Sequence, residues 1–402
     1  IVEIRRVRDE FLDAQIRHEK HRFGFWDSRR EVLQQVEDIF LEPTESGLNT
    51  VLEEFWAAWQ ELSKHPESVP TRVNLREKAK FLTDRIKLAY GQLETLAQEM
   101  RQEIETKVQQ VNSLVQEIHT LNESIMRVKS SGQQPNDFLD KRDLLLDRLA
   151  ELVDYQVKKR SDGRVEIYLQ GKPLLQARTV QALETVVGPQ EVKVVWKGDQ
   201  AEVGLTGGRL TSLLQSFNEV LPAYRAKLND LARKLTEEVN SLHRTGYGLD
   251  GQAGRDFFVP LDGDPEPASH IAVSNDILAD PAFIGAASQP GAPGDGSIAL
   301  EIARLSRERV FPEGGNPTFT FGDYYQNIVA ELGVQTDEGN RMVEVQEHVL
   351  EQLETRREAV AGVSLDEELA NMVQFQQAYA AAARVISVID EMLDILINRT
   401  GR

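Results

Sequence analysis

Apolar residues recur at helical spacing along most of the chain. Within 26–41, Val32, Leu33, Val36, Ile39 and Phe40 mark one face and Pro43 stands at the exit, which predicts a short amphipathic helix. Residues 47–64 place Leu48, Leu52, Phe55, Trp59 and Leu62 in alternating steps of four and three, with Trp56 beside them and Pro66 beyond. The third pattern is long. Leu75, Ala79, Leu82, Ile86, Ala89, Leu93, Leu96 and Met100 keep a heptad, which slips by four residues and resumes at Ile104, Val108, Val111, Val115 and Ile118. Such a stutter unwinds a supercoil locally without ending the helix. A helix over 70–128 extends roughly 90 Å at 1.5 Å per residue, more than a compact enzyme domain spans.

After a polar loop at 130–135, a fourth helix carries Leu145, Leu146, Leu149, Leu152 and Val153. The period then changes to two. Residues 164–169 and 191–196 alternate apolar with polar, and Asp162-Gly163, Gly188-Pro189 and Gly198-Asp199 punctuate them. A small antiparallel β module is expected over 155–205, closed on itself. From 209 the helical period returns through Leu210, Leu214, Phe217, Leu221, Tyr224, Leu228, Leu231, Leu235 and Leu242, with a kink expected at Pro222. Residues 246–316 are rich in Gly and Pro, with strand candidates at 257–259 and 271–273 and a short helix near 298–305.

Helical pattern resumes at Tyr324, and a last helix opens at Ser364 and Glu367, spaced as a capping box. Beyond it, Phe375, Ala378, Ala382, Val385, Ile389, Met392 and Leu396 form one stripe, while Leu369, Met372, Tyr379, Ala383, Ile386, Leu393 and Ile397 form a second. A helix with two apolar seams is not satisfied by a single partner helix, so it suits the inside of a multi-helix assembly.

The fold class is therefore α+β, predominantly α: a long helical coiled-coil or bundle rod with an inserted small antiparallel β module. The expected divisions are a helical part over 1–154, the β module over 155–205, a long helix and irregular region over 206–320, and C-terminal helices over 321–402. Composition narrows the function classes. With 46 Lys and Arg against 65 Asp and Glu, a net charge of −19, the chain lacks a basic nucleic-acid footprint. There is no cysteine, which removes disulfides, thiolate metal sites and cysteine nucleophiles, and suits either the cytosol or export in an unfolded state. The most apolar stretch, 369–397, contains Arg384, Asp390, Glu391 and Asp394. Each of these costs roughly 2.5–3.5 kcal/mol at mid-bilayer, so membrane insertion is not expected. No cleavable signal peptide opens the chain. It does not begin with Met, so a further N-terminal portion is expected in the native protein.

Candidate chemistry is thin. His18-Glu19-Lys20-His21 spaces its histidines by three where a zinc-protease motif needs four, and reads as a charged surface segment. Gly204-Leu205-Thr206-Gly207-Gly208 lacks the Lys-Ser/Thr ending of a phosphate loop and reads as a tight turn. Asp250, Asp256, Asp262 and Asp264 offer oxygen ligands for calcium, but not at the twelve-residue loop spacing. They could also serve as a glycosidase pair, although nothing in the sequence sets two carboxylates across a cleft. No nucleophile elbow exists. Phe55, Trp56 and Trp59 fit core packing better than ligand stacking. No catalytic residue, cofactor or metal is expected.

Three sets of residues carry a resemblance. Gly362-Val363-Ser364-Leu365-Asp366-Glu367-Glu368-Leu369-Ala370-Asn371, followed by Phe375-Gln376-Gln377-Ala378-Tyr379, resembles the C-terminal motif of flagellar axial proteins, with Ser364 in place of the usual Asn. The segments 7–13, 55–62, 65–68 and 140–147 resemble the family of the first hook-associated protein, found at the hook-filament junction. So does His243-Arg244-Thr245-Gly246-Tyr247-Gly248-Leu249-Asp250-Gly251. The family's N-terminal coil signatures are absent, and the middle region looks short.

The resemblance implies an extracellular structural adaptor of the bacterial flagellum, not an enzyme. It would assemble as a ring of subunits, with the hook protein and the second junction protein as partners. Export would be unfolded, through the type III channel, with a chaperone holding the C-terminal region. The implied assembly interface comprises Leu369, Met372, Phe375, Ala378, Tyr379, Ala382, Val385, Ile386, Ile389, Met392, Leu393 and Leu396, with Ser364 and Glu367 capping the helix. A flagellin or second junction protein is the alternative, though the Trp pair and the 243–251 segment argue against it. An enzyme domain on a flagellar scaffold is a further one.

Overall fold

The computed structural model describes residues 8–40, 47–188, 191–313, 316–361 and 365–395. The chain is predominantly helical with small antiparallel sheets, and it divides into two compact units, one of residues 17–349 and one of 1–16 with 350–402.

In the larger unit, the helices follow the apolar periodicity, and their seams are buried. Helix α1 (Glu10–Phe40) begins well before the expected residue 26. Asp9 gives the start signal: its Oδ1 accepts from the backbone N–H groups of Phe11 and Leu12 at 3.0 and 3.2 Å, an N-cap. His18 to His21 therefore sit inside α1, and His21 is buried rather than on the surface. Helix α2 (Leu48–Lys64) and helix α3 (Val69–Ser130) match expectation, and Ser68 caps α3 by accepting from the Thr71 N–H. The seam of α3 is buried from Leu75 through Ile118, across the stutter. Helix α4 (Asn136–Leu152) packs against α3.

The β module has more strands than its alternation shows. Strands β1 (Gln156–Lys159), β2 (Val165–Leu169), β3 (Lys172–Gln176) and β4 (Thr179–Val180) form an antiparallel sheet in chain order. Strands β5 (Leu183–Val187) and β6 (Val192–Trp196) form a separate hairpin. Nor does the module close on itself. Val165, Ile167, Leu183, Val192 and Trp196 are buried in one continuous core with Val111, Val115 and Ile118 of α3. Three helical asparagines bind it there, each meeting both backbone groups of one strand residue. Asn122 donates to Val165 O at 2.8 Å and accepts from its N–H at 3.1 Å. Asn112 treats Leu183 the same way at 2.8 Å for both bonds, and Asn218 treats Val192 at 2.9 Å for both. Backbone groups at strand ends must be paired when buried, and these side chains pair them.

Helix α5 (Arg209–Gln215) runs into helix α6 (Leu221–His243) through a π turn over Ser216–Val220, and the expected break at Pro222 takes this form. The wider turn accommodates the missing N–H without ending the helix. Two short helices follow, α7 (Pro267–His270) and α8 (Asn275–Ala279), then α9 (Ser297–Arg304). The expected strands at 257–259 and 271–273 reduce to a single bridge between Phe258 and Val273. Helix α9 lies on α2 and α6, where Gly296 passes so close to the Ser63 carbonyl that a Cβ would collide with it. Strands β7 (Phe311–Glu313) and β8 (Asn316–Phe319), unforeseen in the sequence, lead into helix α10 (Phe321–Ala361). Its start carries a reciprocal cap, with Thr320 N–H donating to Asp323 Oδ2 and Asp323 N–H to Thr320 Oγ1. The first part of α10 runs antiparallel to α1: Phe40 meets Tyr325, Gln34 donates to Asn340, and Gly339 lies against Arg30.

The smaller unit contains the start of α1, the end of α10 and helix α11 (Leu365–Asp394).

Candidate functional site

Helix α11 is exposed on every side. From Leu369 to Ile395 no residue is buried. Its first seam places Phe375, Ala378, Ala382, Val385, Ile389 and Met392 in solvent, with Phe375 74% exposed. Its second seam exposes Leu369, Met372, Tyr379, Ala383, Ile386 and Leu393, and Tyr379 is 80% exposed. Ser364 and Leu396 lie outside the described residues, as does the side chain of Glu367, so the capping box falls outside them too. Val373 and Val388, outside both seams, are exposed as well. Arg384 and Glu391 interrupt their row, so spacing alone gives that face a solvated look. Single exposed apolar residues are ordinary, but a helix that shows them on all sides presents a contiguous surface suited to other chains. Along it, Ser387 Oγ donates to Ala383 O, one turn back.

Of the acidic-loop candidates, Asp250, Asp256 and Asp264 are engaged within the fold, whereas Asp262 is exposed beside Leu261. Asp250 accepts from Arg255 Nη2 at 2.5 Å and from the Gln252 N–H, while Asp256 accepts from Arg244 Nε at 2.5 Å. Asp264 pairs with His270 Nδ1 at 2.8 Å and caps the Glu266 N–H. These acids hold turns and ion pairs, and the arginine at Asp250 keeps that carboxyl below the usual range. Among the described residues, no three His, Cys, Asp or Glu are grouped to hold a metal. In the glycine turn, the Gly208 N–H donates to His21 O, and Gly208 occupies φ +85°, where a side chain would be strained. The turn seats α5 against α1. Burial lowers the pKa of His21, which packs against it.

Phe55 and Trp59 are fully buried and Trp56 nearly so. Phe55 and Trp59 pack with Phe257, and Phe55 also with Phe258. His243 closes this cluster. Gly285 N–H donates to its Nε2 at 2.8 Å, so Nδ1 carries the proton and donates to Arg255 O at 2.8 Å. Burial holds the imidazole neutral, its pKa pushed down to about 4. Beside it, Arg72 is buried with its guanidinium on the carbonyls of Pro66 and Ile284, and burial lowers its pKa to about 10. The 243–251 segment is thus a structural joint between α6 and the irregular region.

Comparison with known proteins assigns the frame and the terminal helix to two separate family models. Residues 33–258 match the family model for the helical domain of the flagellar hook-associated protein FlgK, and residues 359–399 match that of the flagellar basal body rod FlgEFG protein C-terminal. The chain is 31% identical to flagellar hook-associated protein 1 of Bacillus subtilis, over 99% of this chain and 85% of that one. It is 24% identical to the Salmonella typhimurium protein of the same name, over 98% and 88%. The structure of the flagellar hook junction protein FlgK from Burkholderia pseudomallei superposes with a TM-score of 0.75 at 15% identity, covering 87% of this chain and all of that one, and so shares the fold. With a frame and a terminal helix that each match a flagellar family model, and a full-length relative above 30% identity, the chain belongs to the flagellar hook-associated protein 1 (FlgK) family.

Proposed function

We propose that the protein is a structural adaptor at the junction of hook and filament, outside the cell, and that it assembles as a ring of subunits through α11. The carrying observation is the exposure of both α11 seams. Burying a Leu, Ile or Phe side chain yields roughly 1.5–3 kcal/mol, so a helix that leaves such residues in water is stabilised once neighbouring copies cover it. The hook protein on one side and the second junction protein on the other are the partners this reading requires. A chaperone on the C-terminal region would shield the same surface before export. The relatives, a hook-associated protein and a hook junction protein, support the same reading. In the acidic loop, Asp250, Asp256 and Asp264 are committed to arginine pairs and turns, which speaks against an enzymatic role there.

The test is Ile389→Asp in the full-length protein, expressed in cells lacking it. Ile389 lies mid-seam, and a carboxylate packed there without a partner costs several kcal/mol at each position of a ring. The variant is expected to be exported yet to leave cells non-motile, with flagellin lost to the medium. Glu391→Ala, off both seams, is expected to swim. Normal motility of exported Ile389→Asp contradicts the reading.

A further inference from the structure

Two surfaces on the larger unit complement each other and cannot meet within one chain. The first is a groove of about 320 Å³ between α2 and α9. Trp56 and Ala303 form its apolar floor, Leu300 stands exposed on its wall, and Arg304 and Arg307 line its rim with Glu53 opposite. Glu53 accepts from Asn49, whereas neither arginine has a hydrogen bond or ion pair among the described residues. In a chain of net charge −19, an apolar groove rimmed by two unanswered guanidinium groups selects an acidic visitor.

The second surface is the outer face of α10. Val334 and Val345 are 66% and 52% exposed there, three helical turns apart on one side. Between and beside them stand Asp337, Glu338 and Glu344, against one cation, Arg341, which already pairs with Asp337 at 2.9 Å. Glu338 feels the Arg29 guanidinium of α1 but, like Glu344, makes no ion pair among the described residues. Phe321, at the start of this helix, packs on Trp56 under the groove at 5.4 Å. The acidic face therefore begins roughly 20 Å further along α10 and ends at about 36 Å. It cannot fold back onto its own groove.

We propose that successive copies of this chain dock head to tail, the Val334–Val345 face of one seated in the α2–α9 groove of the next, with the two copies staggered along the helix axis. A contact between two different patches is heterologous, and it propagates around a ring where a self-complementary patch would stop at a dimer. The valines supply area for the Trp56 and Leu300 floor and wall, and Glu338 and Glu344 answer Arg304 and Arg307. This rests on the ring reading above, but it concerns the larger unit and not α11.

The absence of cysteine from the chain allows a direct test. The full-length protein carrying Leu300→Cys and Val345→Cys together is assembled on hooks of cells lacking their own copy and mildly oxidised. Disulfide-linked dimers and higher multimers of this chain are expected, with either single variant remaining monomeric. Motile cells whose double variant stays monomeric overturn the contact while leaving the ring reading intact. Dimers from a single variant, or a link to another flagellar protein, overturn it also. If the double variant does not assemble, charge exchange decides. Arg304→Glu with Arg307→Glu is expected to lower swarming about tenfold, and adding Glu338→Arg with Glu344→Arg to restore it. Lack of restoration, with both variants exported and folded, overturns the proposal.

Discussion

Helices α3 and α11 carry the same kind of seam and meet opposite fates. In α3 the apolar row from Leu75 to Ile118 is buried against α2, α4, α6 and the β module. In α11 the row from Phe375 to Met392 stands in water. The spacing of apolar residues states that a face has to be covered. It does not say whether the cover comes from the same chain or from another: the row of α3 is covered by its own chain, and that of α11 is left open to a partner.

The largest expected effect follows directly. Ile86→Ala in α3 removes methylenes from a fully buried site, and it is expected to cost 2–5 kcal/mol of stability, at roughly the level known for such truncations. Ile389→Ala in the unassembled chain is expected to stay within about 0.5 kcal/mol. Denaturant melts of both variants sharpen the contrast, and equal costs would break it.

The joint at His243 comes next. Its pKa is lowered from 6.5 to about 4, so between those values the unfolded chain binds a proton that the folded chain refuses. Its stabilising contribution is complete above about pH 6.5 and is lost as pH falls towards 4, by about 3 kcal/mol in all. Arg72 and Arg255 nearby disfavour the imidazolium, while Asp256 favours it. Stability measured from pH 7 to 4 should fall with this slope, and His243→Gln, less stable at neutral pH, should show a flatter one.

Asn122→Ala leaves both backbone groups of Val165 and the Arg142 guanidinium short of a partner. About 2 kcal/mol is expected from the buried groups alone, with amide exchange in β2 accelerating ahead of the helices. The smallest effect is Thr320→Ala, which removes the cap of α10 and is expected to cost about 1 kcal/mol.

Long helices were legible in the sequence because each repeats its signal over many turns. What escaped was carried by single residues. Asn112 and Asn122 look like solvated positions on α3 until strands are set beside them. Strands β1 and β4 are too short and too polar to alternate visibly. The reciprocal cap at Thr320 and Asp323 escaped because Asp stands in the place usually held by Glu or Gln. Of the candidate site, the seams were readable from spacing. The exposed Val373 and Val388 were not, because a charged neighbour on the same row reads as a solvated face.

The central claim is that α11 is completed by other copies of the chain. Amide hydrogen exchange along α11 and α3 tests it most directly, comparing the monomer in solution with the protein assembled on hooks. The account predicts rapid exchange over residues 369–395 in the monomer, slow exchange along the α3 seam in both states, and strong protection of 369–395 on assembly. Protection of α11 in the monomer equal to that of α3, unchanged on assembly, would contradict it.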